Sequence, residues 1–85
     1  MHYLMQTREG EDVGIHRTDE TYISPWFMFD DEPLVPQFID EDVYDRLLHI
    51  VGMKELVCER EESIAGGLAS AIHLEMKEDD ALRSP

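Results

Sequence analysis

Eighty-five residues with 20 acidic and 7 basic side chains, a formal net charge of −13, make one domain with a modest core. That charge argues against direct binding to DNA, RNA or an anionic membrane, whose phosphates are held by Lys and Arg, and favours basic protein partners or cations. The single cysteine, Cys58, excludes an internal disulfide and fits a reducing cytoplasm; the opening MHYLMQTREGED lacks a signal-peptide pattern, and no apolar run approaches a membrane span.

In chain order, residues 2–8 read as a strand, with Tyr3 and Met5 on one face and Leu4 and Gln6 on the other. Glu9 to Asp12 supply a glycine-bearing polar turn. Residues 13–18 return as a second strand, with Val13, Ile15 and Arg17 sharing a face. Residues 21–29 are rich in β-branched and aromatic side chains and predict a third strand, broken or placed on an edge by Pro25. These segments predict a three-stranded antiparallel meander. Within them Trp26, Phe27, Met28 and Phe29 are four large apolar residues in a row. They serve as core anchors, or as a contact patch beside Asp30, Asp31 and Glu32.

Pro33 and Pro36 hold residues 32–38 extended as a connector. A helix follows over 41–51. Asp40 is a good N-cap, Glu41 and Asp42 complement the helix dipole, and Ile39 and Tyr44 have staple spacing. Val43, Leu47, Ile50 and Val51 form its apolar face, and Gly52 ends it. Residues 53–58 fit either a short extended segment or the start of another helix. Residues 59 to about 77 predict a second helix, with acids in its first turns and a stripe of Ile64, Leu68, Ala71, Ile72 and Met76. Gly66 and Gly67 are costly in a helix, at about 1 kcal/mol each. With the neighbouring alanines they leave a smooth surface for close packing or for a helix-to-helix homodimer. The tail from 78 to 85 reads as polar and frayed. The expected fold is therefore α+β: a small N-terminal antiparallel sheet packed against two C-terminal helices.

Between Arg17 and Arg46 there is no basic residue, while Asp19, Glu20, Asp30, Asp31, Glu32, Asp40, Glu41, Asp42 and Asp45 fall in that window. Unscreened like charge costs stability, so the window points either to a solvated face with helix capping or to a field aimed at a basic partner. Catalytic and cofactor signals are absent. Cys58 and the four histidines lack metal-ligand spacing. The run from Asp40 fails as a calcium loop at Tyr44 and has no glycine. Gly66-Gly67 is not a phosphate loop, and nothing in the spacing pairs Cys58 with a base. The expectation is a non-enzymatic protein that needs no cofactor.

Two functions fit. One is an inhibitor whose carboxylates imitate nucleic-acid phosphates and occupy the basic channel of a nuclease or a DNA- or RNA-binding protein. Small phage counter-defence proteins are an analogy in composition. The other is a partner-binding module (an immunity protein, antitoxin or assembly subunit) with an apolar contact around Trp26 and Phe27 or on the second helix, its acids serving solubility and steering. The candidate contact residues are Asp30, Asp31, Glu32, Asp42, Asp45, Trp26 and Phe27.

Overall fold

The computed structural model describes residues 1–22 and 25–78. His2–Gln6 (β1) and Asp12–Arg17 (β2) form the expected antiparallel hairpin. Its turn is closed by the Gly10 amide on the Thr7 carbonyl and the Thr7 amide on the Glu11 carbonyl. Tyr3 stands opposite His16 and Met5 opposite Gly14, and this row faces inward. Leu4 and Ile15 are paired on the outer side.

The expected meander does not continue. Pro25–Phe29 (β3) pairs with Glu32–Phe38 (β4), not with β2. The segment expected as a connector is thus a strand lying between β1 and β3. Its prolines are tolerated because the two ladders are offset. The β1–β4 ladder ends at Val35, short of Pro33, and the β3–β4 ladder ends at Leu34, short of Pro36. By strand alternation each proline nitrogen faces the side on which its ladder has ended, so neither removes a ladder donor.

The helix forms where expected but faces differently. Glu41–Arg46 (α1) runs on into a wider π turn over Leu47–Val51, which ends at Gly52 with the Met53 amide on the Leu47 carbonyl. Asp40 occupies the N-cap position and its carbonyl accepts from the Tyr44 amide, but its side chain makes no capping bond. Tyr44 is the buried residue, at 1% exposure, and Leu47 and Leu48 are half-buried. Val43, Ile50 and Val51, expected to face the core, are exposed. Tyr44 docks on the outer side of the β1–β2 hairpin, its ring edge-on to His2 at 5.1 Å and the Arg17 guanidinium 5.6 Å from its centroid.

The second predicted helix is overturned. Glu55–Ile64 (β5) and Ala69–Met76 (β6) form a long antiparallel hairpin, and the ambiguous 53–58 segment enters it as strand from Glu55. The turn between them contains Gly66 at φ 80° and Gly67 at φ 87°. This left-handed pair suits a hairpin turn and opposes a helix interior. β5 then joins β2 in parallel, and β6 joins β3 in parallel.

Six strands thus close into a barrel in the order β1-β2-β5-β6-β3-β4. The fold is mostly β with one short helix, not the expected α+β arrangement of three strands on two helices. Tyr3, Met5, Phe27, Leu34, Leu56, Ile72 and Leu74 fill the interior. The seam between β2 and β5 has only two paired positions, Ile15 with Glu55 and His16 with Leu56. Beyond it, among the described residues, the outward edge of β5 has no ladder partner. Glu59, Arg60, Glu61 and Glu62 occupy that edge, and charges there oppose edge-to-edge pairing with another chain. Among the described residues no helix is long and apolar enough to cross a membrane. The tail expected to fray lies, beyond Glu78, outside the described residues, as do Ile23 and Ser24 of the expected third strand.

Candidate functional site

Alternation along β3 divides the aromatic run between two surfaces. Phe27 points inward, 2% exposed, and touches the rings of Tyr3, His16 and Tyr22. It is a core residue that reaches the β3–β4 groove only with its slight exposed edge. Trp26 points outward and is 61% exposed. The register builds a continuous outer face around it. Trp26 lies opposite Ala71, which lies opposite Glu62; Met28 lies between Pro33 and His73, which lies opposite Arg60. The β3–β4 part of this face is a mostly apolar groove of 520 Å³, lined by Trp26, Met28, Pro33, Val35 and Pro36, with Arg8 the one charged residue of its lining among the described residues. The β5–β6 part is charged. Glu62 lies 3.4 Å from Arg60 and 3.6 Å from His73.

One end of the groove is the β3–β4 turn. Asp30 and Asp31 both adopt left-handed backbone, at φ 51° and 62°. Two such residues between paired strands make a type I′ turn, whose twist matches that of a hairpin. Asp tolerates this conformation better than most residues, so turn geometry accounts in part for the two acids. Their carboxylates, with that of Glu32, are exposed, next in the chain to Pro33, which lines the groove.

Asp42 and Asp45 lie elsewhere. They are exposed on α1, beyond the far end of β4. Seven residues of strand separate the two acid groups by roughly 20 Å at about 3.3 Å per residue. The five acids singled out from the sequence therefore form two separate groups. The Asp42 and Asp45 group accompanies Val43, Ile50 and Val51, the exposed apolar stripe of the helix.

Sequence reasoning missed a second location. At the sparse β2–β5 seam a cavity of 430 Å³ is lined by His16, Glu20, Tyr22, Cys58 and Glu61, among others. The imidazole of His16 is 3% exposed and roughly parallel to the rings of Tyr3 and Tyr22. Burial holds its pKa below the ordinary imidazole value, against the opposing effect of its bond to the Leu56 carbonyl. Burial also raises the Cys58 thiol, and Glu61 and Glu20 raise it further. A thiol so placed is a poor source of thiolate, and no hydrogen bond links it to His16, so the pair lacks the features of an activated nucleophile. Among the described residues no group of three or more His, Cys, Asp or Glu side chains is arranged to hold a metal ion.

The cavity was hidden in the sequence because Gly14, Ile15 and His16 are all buried. The barrel interior covers one face of β2 and the helix covers the other, so alternation did not mark His16 as inward. Comparison with known proteins finds no matching family model, no matching curated protein and no matching solved structure. The functional reading therefore rests on the geometry of these surfaces.

Proposed function

We propose that this chain is a protein-binding module that docks a basic partner on the outer face of β3 and β4. Trp26 is the central anchor, and Asp30, Asp31 and Glu32 form an acidic rim. The observation that carries the reading is the exposure of the only tryptophan, 61%, over a groove near that turn whose lining, among the described residues, is apolar apart from Arg8. Binding energy concentrates in such aromatic anchors, while rim charges act mainly on the rate of encounter. A net charge of −13 supports the narrower form of the same reading. In that form the partner is a nuclease or another nucleic-acid-binding protein whose basic surface is blocked by the bound module.

The test is a pull-down from native lysate with wild-type chain, Trp26→Ala and the triple variant Asp30→Asn, Asp31→Asn, Glu32→Gln, each washed at low and high salt. The reading expects a basic partner that survives the high-salt wash with wild type, is lost with Trp26→Ala, and is captured more slowly by the triple variant. Retention by Trp26→Ala equal to wild type would place the contact elsewhere. A partner held only at low salt by every chain would make the acids, and not the groove, the contact.

A further inference from the structure

The seam between β2 and β5 ends where the two strands part. β2 keeps its partner β1 as far as Arg17, opposite His2, and the Thr18 amide still donates to the Met1 carbonyl. Its pairing with β5 stops at His16 and Leu56. β5 runs on to Ile64, paired there with Ala69 of β6. Among the described residues, 57–64 are therefore paired on one side only, and Cys58 to Ser63 are all exposed. A cavity of 430 Å³ opens beside this edge, with Thr18 and Glu20 in one wall and Val57, Cys58 and Glu61 in the other. A strand edge of this kind presents backbone N–H and C=O groups that can pair with a further strand. β6 offers no such edge, since β3 pairs with its other side from Ser70 to Leu74.

The charge around the edge decides what can pair with it. Glu59, Glu61 and Glu62 are exposed along β5, and Asp19 and Glu20 line the cavity from the other side. Arg60 lies 3.4 Å from Glu62, and the Arg17 guanidinium is engaged with the Tyr44 ring. These acids oppose pairing with a second copy of this acidic chain, and the same field attracts a strand of opposite charge. We propose that the free edge of β5 takes up an extended segment of a partner protein that bears lysine or arginine, added as a strand where β2 has left it. The backbone ladder supplies the pairing, and the basic side chains meet the carboxylates. An acidic segment would set like charges opposite one another. A helical segment bonds its own backbone groups and would leave the edge unpaired. The site lies two strands from β3 and does not rest on the Trp26 groove.

The experiment titrates a capped peptide of alternating lysine and threonine, about as long as the free edge, into the isotopically labelled chain and follows backbone amides by NMR and by hydrogen exchange. The expected result is saturable movement and slowed exchange of amides within 57–64. The same peptide methylated at every backbone nitrogen keeps its charge but cannot donate to a ladder, and it should not bind. The triple variant Glu59→Gln, Glu61→Gln, Glu62→Gln should weaken the peptide about tenfold. Glu41→Gln, Asp42→Asn, Asp45→Asn, which removes the same charge on α1, should leave binding unchanged, as should Trp26→Ala. The proposal is overturned if the peptide does not bind, if the methylated peptide binds equally, if the two triple variants weaken binding alike, or if Trp26→Ala abolishes it and the protected amides lie outside β5.

Discussion

The His16 imidazole donates from Nδ1 to the Leu56 carbonyl, 2.9 Å away, across the one seam of the barrel held by only two paired positions. A side chain from inside the barrel thereby supplements a short backbone ladder. The other ring nitrogen is buried, and burial disfavours the protonated imidazole in the folded state.

Acid should therefore weaken the fold through His16 before it does so through the carboxylates. Burial places the His16 pKa below the ordinary value of 6.5, so between those two values the unfolded chain binds a proton that the folded chain does not. The contribution is complete above about pH 6.5 and is lost as pH falls toward the folded value. Urea unfolding across this range should show stability falling with pH, and His16→Phe should flatten that slope whatever it does to absolute stability. Glu55 acts lower. Burial pushes its carboxyl up, but the Tyr44 hydroxyl and Lys77 outweigh that and hold it below the ordinary 4.5, so its contribution is lost only below that value. A slope identical in wild type and His16→Phe would contradict the assignment.

Gly14 lets β2 approach β5. A Cβ there would meet the Lys54 backbone oxygen at 2.8 Å and Leu56 Cγ at 2.9 Å. Backbone cannot yield as a flexible side chain does, so Gly14→Ala should destabilise by about 1–3 kcal/mol, the usual cost of overpacking. Amide exchange should rise first at Ile15, whose N–H donates to Lys54 at this seam.

Tyr44 ties the helix to the barrel. Its hydroxyl donates to a Glu55 carboxylate oxygen at 2.5 Å, and burial together with that carboxylate raises the phenol well above its ordinary pKa. Tyr44→Phe keeps the ring and loses the bond. The expected cost is about 1.5–3 kcal/mol, the range for a hydrogen bond to a charged group. The Glu55 carboxyl should titrate at higher pH in this variant, which carboxyl NMR reads directly.

These contacts also show what was legible in the chain. The β1–β2 hairpin and the helix over 41–51 rest on local signals, and both form. The region 59–77 misled because Ile64, Leu68, Ile72 and Met76 are spaced four apart. That interval lies on one face of a helix and equally on one face of a strand. Gly66 and Gly67 were the deciding residues, since a left-handed pair stabilises a hairpin and weakens a helix. The parallel pairings of β2 with β5 and of β3 with β6 have no local signature, so closure into a barrel was not readable. Of the candidate contact residues, Trp26 was recognised but not separated from Phe27. Strand alternation sends one to the surface and the other to the core.

The β3–β4 turn allows charge and fold to be separated. Asn-Gly is the preferred pair for a type I′ turn. Replacing Asp30 and Asp31 with it should stabilise the fold by up to about 1 kcal/mol, because Gly carries no left-handed penalty. If the acids also steer a basic partner, the same double variant should associate more slowly, with a weaker dependence on salt. Denaturant unfolding and stopped-flow binding read the two effects separately. Unchanged association would assign Asp30 and Asp31 to turn formation alone.

The central claim is that Trp26 is the buried anchor of a complex. Because it is the only tryptophan, its fluorescence reports on this face alone whenever the ligand lacks tryptophan or carries a non-fluorescent analogue. Acrylamide quenching of Trp26 should be measured with and without the partner retained by the wild-type chain. The account predicts efficient quenching in the free protein, strong protection with a blue-shifted emission in the complex, and an affinity loss of about 30-fold or more for Trp26→Ala, as for an interface hot spot. A complex that forms with quenching and emission of Trp26 unchanged would contradict it.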